Sequence, residues 1–165
     1  MLKSKVEKIL NEQVKKEAYA SFLYLAMAGW ADNQGYPGIS KWFFAQAAEE
    51  NEHMLKVIDY INERGGKVII PAIEQPPSKW KNVREAFEAA LEHEKYVSNS
   101  IDKIVTLVLA EKDYATHNWI QWFVTEQVEE ESSVSHILDK LALFGDKPNY
   151  YLFDKDILGM REEEE

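Results

Sequence analysis

The sequence predicts an all-α protein: two antiparallel helix pairs form a four-helix bundle, with a long crossover between helices 2 and 3 and a short fifth helix at the C-terminal end. Three observations predict it. Four long stretches repeat apolar residues at 3.6-residue spacing, and little reads as strand. Two short turns and one proline-rich segment separate those stretches. Residue types also recur at a fixed offset of 77: Glu17, Glu50 and His53 are answered by Glu94, Gln127 and Glu130, Trp42 by Trp119, and Val57 by Val134.

The first helix is expected from about Leu2 to Asp32, with Val6, Leu10, Glu17, Tyr24 and Leu25 in phase. Gly35 is placed to end it and Pro37 to open the second, since proline suits a first helical turn. The second runs to about Arg64, aligning Phe43, Ala47, Glu50, His53, Val57 and Ile61, and Gly65-Gly66 stops it. Residues 67–81 contain Pro71, Pro76 and Pro77 and cannot be helical throughout. Extended, they reach roughly 50 Å, enough to travel the ~45 Å of a 30-residue helix. Asn82 and Glu85, spaced much as in a capping box, open the third helix, which aligns Phe87, Ala90, Leu91, Glu94, Val97, Ile101 and Val105. Asp113 caps the fourth, which carries Ile120, Phe123, Gln127, Glu130, Val134, Leu138 and Leu141 to a stop at Gly145. A fifth helix over about 150–158 ends at Gly159, and an acidic tail, 160–165, follows as a solvated run.

This organisation reads as one domain over 1–165, with the bundle at about 2–145. The crossover starts the second hairpin at the opposite end, so a pseudo-two-fold axis crosses the middle. All four helices then deliver their polar residues at one level.

Composition narrows the chemistry. A formal charge of −10 and no Lys/Arg cluster argue against a nucleic-acid partner. The longest apolar run is far shorter than the ~18 residues of a membrane span, and the N-terminus lacks a signal-peptide core, so a cytoplasmic location is expected. With no cysteine, thiolate zinc and cysteine-held iron–sulfur sites are excluded. Any metal is held by oxygen and imidazole.

The charged residues on the apolar stripes carry the functional reading. Glutamate is almost never buried unless paired or bound to metal. Glu50-x-x-His53 puts both side chains on one helix face, and Gln127-x-x-Glu130 does the same on the fourth helix. Ionised together, Glu17, Glu50, Glu94 and Glu130 carry −4, which two divalent ions neutralise. Carboxylates with one imidazole suit iron or manganese more than copper. Oxidation of both ions leaves two positive charges for an oxygen-derived anion to cancel, a transition open to iron and closed to zinc.

These residues and this topology resemble the ferritins over essentially the whole chain. The pairing of Glu on two helices with Glu-x-x-His on others is a recognised feature of ferritin-like di-iron bundles. Here Gln127 and Glu130 replace the second Glu-x-x-His of bacterioferritin-like and rubrerythrin-like chains. Asn51 stands near where bacterioferritins carry a haem-ligating Met, so no haem is expected. The chain is similar to the non-haem type of bacteria and archaea. That resemblance implies one iron on Glu17, Glu50 and His53, and a second on Glu94, Glu130 and the bridging Glu50, with Gln127 close by. It implies a third iron site from Glu49, Glu126 and Glu129 with Glu130, and a tyrosine beside the centre, Tyr24. It implies oxidation of Fe(II) by O2 or H2O2, and homo-oligomeric shells of 24 subunits storing ferric oxyhydroxide.

Blander readings compete at several positions. Glu49, Glu126 and Glu129 fit an ordinary solvated helix face, Gln127 a supporting hydrogen bond, and Tyr24 and Trp122 core packing. His93, His117 and His136 fall off the stripes. The rival function is a stand-alone di-iron oxidoreductase or peroxidase without a storage cavity.

Overall fold

The computed structural model of the chain describes residues 1–145 and 148–162, the last two by backbone alone. Its helices are α1 (Ser4–Asn33), α2 (Pro37–Glu63), α3 (Val83–Ala110), α4 (Tyr114–Leu143) and α5 (Tyr150–Glu162), and no strand occurs among the described residues.

The helix ends follow local chemistry. Gly35, Gly65 and Gly145 take positive φ after α1, α2 and α4, the left-handed conformation that closes a helix. Pro37 opens α2. The Asn82 side chain accepts from Glu85 N at 2.9 Å, and Asp113 accepts from Thr116 N and Oγ1 at 3.2 and 2.8 Å. Glu85 reaches back to Lys81 N, one residue before the cap, so the expected box is offset by one. Two expectations change. Gly159 does not end α5; it is not among the positive-φ glycines, and the helix continues to Glu162. The tail expected over 160–165 is therefore helical to Glu162, and its remainder lies outside the described residues. Leu25, placed on the inner stripe, is 39% exposed and turns outward.

Contacts at the ends fix the directions. Leu2 N donates to Arg64 O, Lys5 Nζ meets Glu111 Oε1 at 2.8 Å, and Arg64 Nη2 meets Asp113 Oδ1 at 3.3 Å. The start of α1, the ends of α2 and α3 and the start of α4 thus share one end of the bundle. Each neighbouring pair is antiparallel. The extended segment runs along α1 to the other end: Lys67 N donates to Glu7, Ile69 N to Asn11, Lys15 pairs with Glu74, and Trp80 lies edge-on to Trp30.

Two apolar clusters fill the interior. One, at the α5 end, includes Tyr24, Met27, Trp42, Phe43, Phe87, Val134 and Phe153. The other includes Val6, Leu10, Val57, Ile61, Val97, Ile101, Ile120 and Phe123. Offset partners such as Phe43 and Ile120, or Val57 and Val134, fall in opposite clusters, as a two-fold across the middle requires.

α5 seals the first cluster. Asp154, buried, accepts from Ile39 N at 2.8 Å and so caps the start of α2. The contact is close because residue 38 is glycine: a Cβ there would lie 1.9 Å from the Asp154 carbonyl oxygen. Gly38→Ala is expected to force α5 off α2, at about 1–3 kcal/mol for an overpacked contact. A lowered melting temperature and faster hydrogen exchange over 150–160 would register it; unchanged exchange there would contradict the packing account.

Candidate metal centre

Between the two apolar clusters lies a polar layer to which each of the four long helices contributes. Glu17 comes from α1, Glu50 and His53 from α2, Glu94 from α3, and Gln127 and Glu130 from α4, all buried. The helices carry them inward because each sits in phase with apolar neighbours, Val14 before Glu17 and Val57 after His53 among them. Glu17 and Glu94 are 0% exposed, well beyond what an ionised carboxylate tolerates without a partner.

The side chains form three groupings in which one ligand atom of each lies within 4.8 Å of the others: Glu17, Glu50 and His53; Glu50, Glu94 and Glu130; and His53, Glu126 and Glu130. Glu50 belongs to the first two. Both of its carboxylate oxygens, Glu17 Oε2 and His53 Nδ1 are buried with no hydrogen-bond partner. Such orphaned groups cost about 1–3 kcal/mol each, and their convergence on two points is what a pair of cations would relieve. His53 Nδ1 stands 3.6 Å from Glu50 Oε2, too long for a hydrogen bond.

The electrostatics agree. Burial first, then the charges of Glu94, Glu17 and Glu130, push the Glu50 carboxyl well above the usual range. Burial and the Glu94 and Glu49 charges do the same to Glu130. Burial lifts Glu94 to about 7 despite hydrogen bonds from Tyr24 and Gln127, and lifts Glu17 against the opposing effect of His53. Without a cation each of these carboxyls is biased toward its protonated form; a divalent ion would favour the ionised form.

Around this layer the other singled-out residues divide. Tyr24 is fully buried, its hydroxyl donates to Glu94 Oε1, and burial with the surrounding carboxylates holds the phenol protonated. Gln127 Nε2 donates to Glu94 O and Oε2, both at 3.2 Å, and to Ser98 Oγ at 3.4 Å, tying α4 to α3. Glu126 Oε1 stands 3.7 Å from His53 Nε2. Glu49 is half-buried and near enough to raise Glu130. Glu129 is exposed and belongs to none of the three groupings. The Trp122 ring is 5.4 Å from that of His53 and carries Lys56 Nζ 3.9 Å from its centre. His93 lies between Tyr19 and Tyr96, away from the layer, with its pKa lowered by burial to about 4.

Three residues of this layer escape a reading based on the 77 offset. Gln13 Nε2 donates to Glu17 Oε1 at 2.7 Å, Gln46 Nε2 to Glu130 Oε2 at 2.5 Å, and Ser100 Oγ to Gln13 Oε1 at 2.5 Å. Their offset positions are Ala90 and Phe123 for the two glutamines, so the repeat is silent about them. A local signal existed: each Gln stands four residues before a buried Glu, on the same helix face.

Known proteins resemble this chain over nearly its whole length. Residues 7–144 match the ferritin family, described as a ferritin-like domain. The chain is 44% identical over 158 residues to a probable bacterial non-heme ferritin-like protein of Haemophilus influenzae, covering 95% of this chain and 96% of that one. It is 41% identical to a bacterial non-heme ferritin of Campylobacter jejuni, covering 95% of each. Among solved structures, an open pore ferritin from the hyperthermophilic archaeon Archaeoglobus fulgidus superposes with a TM-score of 0.91 at 43% identity, over 94% of this chain and 96% of that one.

Proposed function

Since the chain belongs to the ferritin family, we propose that it oxidises ferrous iron at the polar layer and stores the ferric product. Iron here is substrate and cargo. Glu17, Glu50 and His53 hold one Fe(II), and Glu94, Glu130 and the shared Glu50 hold the second, with Gln127 alongside. Each ion gives one electron to the oxidant. Two electrons and two protons convert O2 to hydrogen peroxide; four of each, from two pairs of iron ions, convert it to water. The ferric ions leave by hydrolysis and accumulate as mineral inside a shell of copies of this chain.

The protein's own groups supply placement and charge. Tyr24 and Gln127 hold the two oxygens of Glu94, and Gln46 holds one oxygen of Glu130. Each oxygen keeps a further lone pair that a cation could take. Glu126 and Glu130, with Glu49 beside them, outline an outer third iron site on the α2–α4 side, which Glu129, exposed in this structure, joins only by turning inward. Asn51 offers no haem ligand, so the chemistry is non-haem. No described helix is long and apolar enough to cross a membrane, in keeping with a cytoplasmic store.

The observation that carries this reading is Glu50, buried, unpartnered at both oxygens and common to two ligand groupings. Anaerobic addition of two Fe(II) per chain followed by air is expected to give transient diferric absorption, and none would appear if the layer held no iron pair. Size-exclusion chromatography separates storage from a stand-alone oxidoreductase. About 24 chains of 19.1 kDa elute near half a megadalton, and a free subunit elutes far later.

A further inference from the structure

A line of hydrogen bonds enters the polar layer from the surface. Lys16 Nζ donates to Ser100 Oγ at 2.6 Å, Ser100 Oγ to Gln13 Oε1 at 2.5 Å, and Gln13 Nε2 to Glu17 Oε1 at 2.7 Å. Gln13 is 0% and Ser100 3% exposed. Lys16 is half-buried and lines a groove between α1, the crossover and α3, with Glu74 and His93 among its other walls.

The direction of every bond in the line is set by its outermost member. An ammonium group has donors and no acceptor. Ser100 must therefore accept from Lys16, and its single proton goes to Gln13. That proton requires the oxygen end of the Gln13 amide, which leaves the NH2 end facing Glu17. Glu17 then accepts at Oε1, while Oε2 remains without a hydrogen-bond partner and the residue belongs to the grouping with Glu50 and His53.

We propose that Lys16, Ser100 and Gln13 are positioning residues, a polarised line that keeps Glu17 turned with one oxygen toward the first metal ion. The proposal rests on Glu17 being a metal ligand, as read above. It makes a prediction that simple charge does not. In Lys16→Glu the outermost group becomes an acceptor. Ser100 then gives its proton outward and accepts from the Gln13 NH2, so the amide oxygen faces Glu17 and repels the ionised carboxylate. Binding of a cation weakens although negative charge has been added. Lys103, close enough to Lys16 to repel it but making no bond into the line, is the control.

The test uses the metal-free full-length protein titrated with Co(II), followed by its visible absorption, with a melting curve for each variant. Lys16→Glu and Gln13→Leu are expected to weaken Co(II) binding by about 10- to 100-fold, the usual effect of removing a group that orients a ligand. Lys103→Glu is expected to hold or strengthen it. Equal affinity in Lys16→Glu and Lys103→Glu overturns the proposal, as does wild-type affinity in Gln13→Leu. Should Gln13→Leu fail to fold, the surface pair decides alone. A wild-type protein that takes up no Co(II) overturns instead the assignment of Glu17 as a ligand, so the two failures are told apart.

Discussion

Glu50→Leu is expected to abolish paired iron oxidation and, in the metal-free protein, to raise the melting temperature. Both effects follow from the same two atoms. The Glu50 oxygens are buried and unpartnered, and they belong to the groupings on either side. Deleting a shared ligand disables both metal positions at once, so the loss should exceed the roughly 100-fold cost of removing a supporting residue. Without metal, those oxygens are only a burden, at about 1–3 kcal/mol per unsatisfied group. A leucine there joins the apolar clusters above and below. At about 2–4 °C per kcal/mol for a chain of this length, a gain of several degrees is expected. Stopped-flow oxidation at two irons per chain and paired melting curves with and without Co(II) measure both. Wild-type oxidation, or a lower metal-free melting temperature, would contradict the account.

The second large effect concerns pH. Metal-free protein is expected to lose stability as pH rises from about 4.5 to 8, and bound divalent metal to remove that loss. The sign follows from the carboxyls of the polar layer. Below 4.5 they are protonated folded and unfolded alike, and their stability contribution is fully present. Above it, the unfolded chain releases those protons while the folded chain holds them to higher pH, Glu94 to about 7, with Glu50 and Glu130 raised in the same direction. The folded state binds more protons, so stability falls with pH across that window. For Glu94 alone, the rise from 4.5 to about 7 is worth on the order of 3 kcal/mol, at about 1.36 kcal/mol per pH unit. Metal takes the place of the protons and flattens the curve. Thermal melts at pH 5, 6, 7 and 8 with and without Co(II) test this; a metal-free protein more stable at pH 8 than at pH 5 would reverse the argument.

The bundle was legible because each of its determinants is local or periodic. Gly35, Pro37, Gly65 and Asp113 mark helix ends by their own conformational demands, and the apolar repeat names the buried faces. Gly159 misled because glycine stops a helix only when the chain there turns left-handed, and nothing in a single sequence states that it must. The level at which Glu17, Glu50, His53, Glu94, Gln127 and Glu130 meet was likewise readable, since equal distances from two turns put them at one height. Hydrogen-bond polarity was not readable. Whether Gln127 faces a cation or ties α4 to Glu94, and whether Gln13 gives Glu17 a proton or a lone pair, depends on side-chain orientation a few ångströms away. Glu129 shows the same limit: one residue from Glu130 in sequence, it turns to solvent on a different helix face.

The layer of carboxylates cuts across every long helix at mid-length and separates two greasy blocks that never merge. Ordinary bundles fray at their tips and are firmest at the waist. In this one the unpartnered oxygens of Glu17 and Glu50 lie at the waist, so a metal-free subunit is expected to loosen there first. On the proposed function, the scaffold's rigidity would then report on its own metal supply.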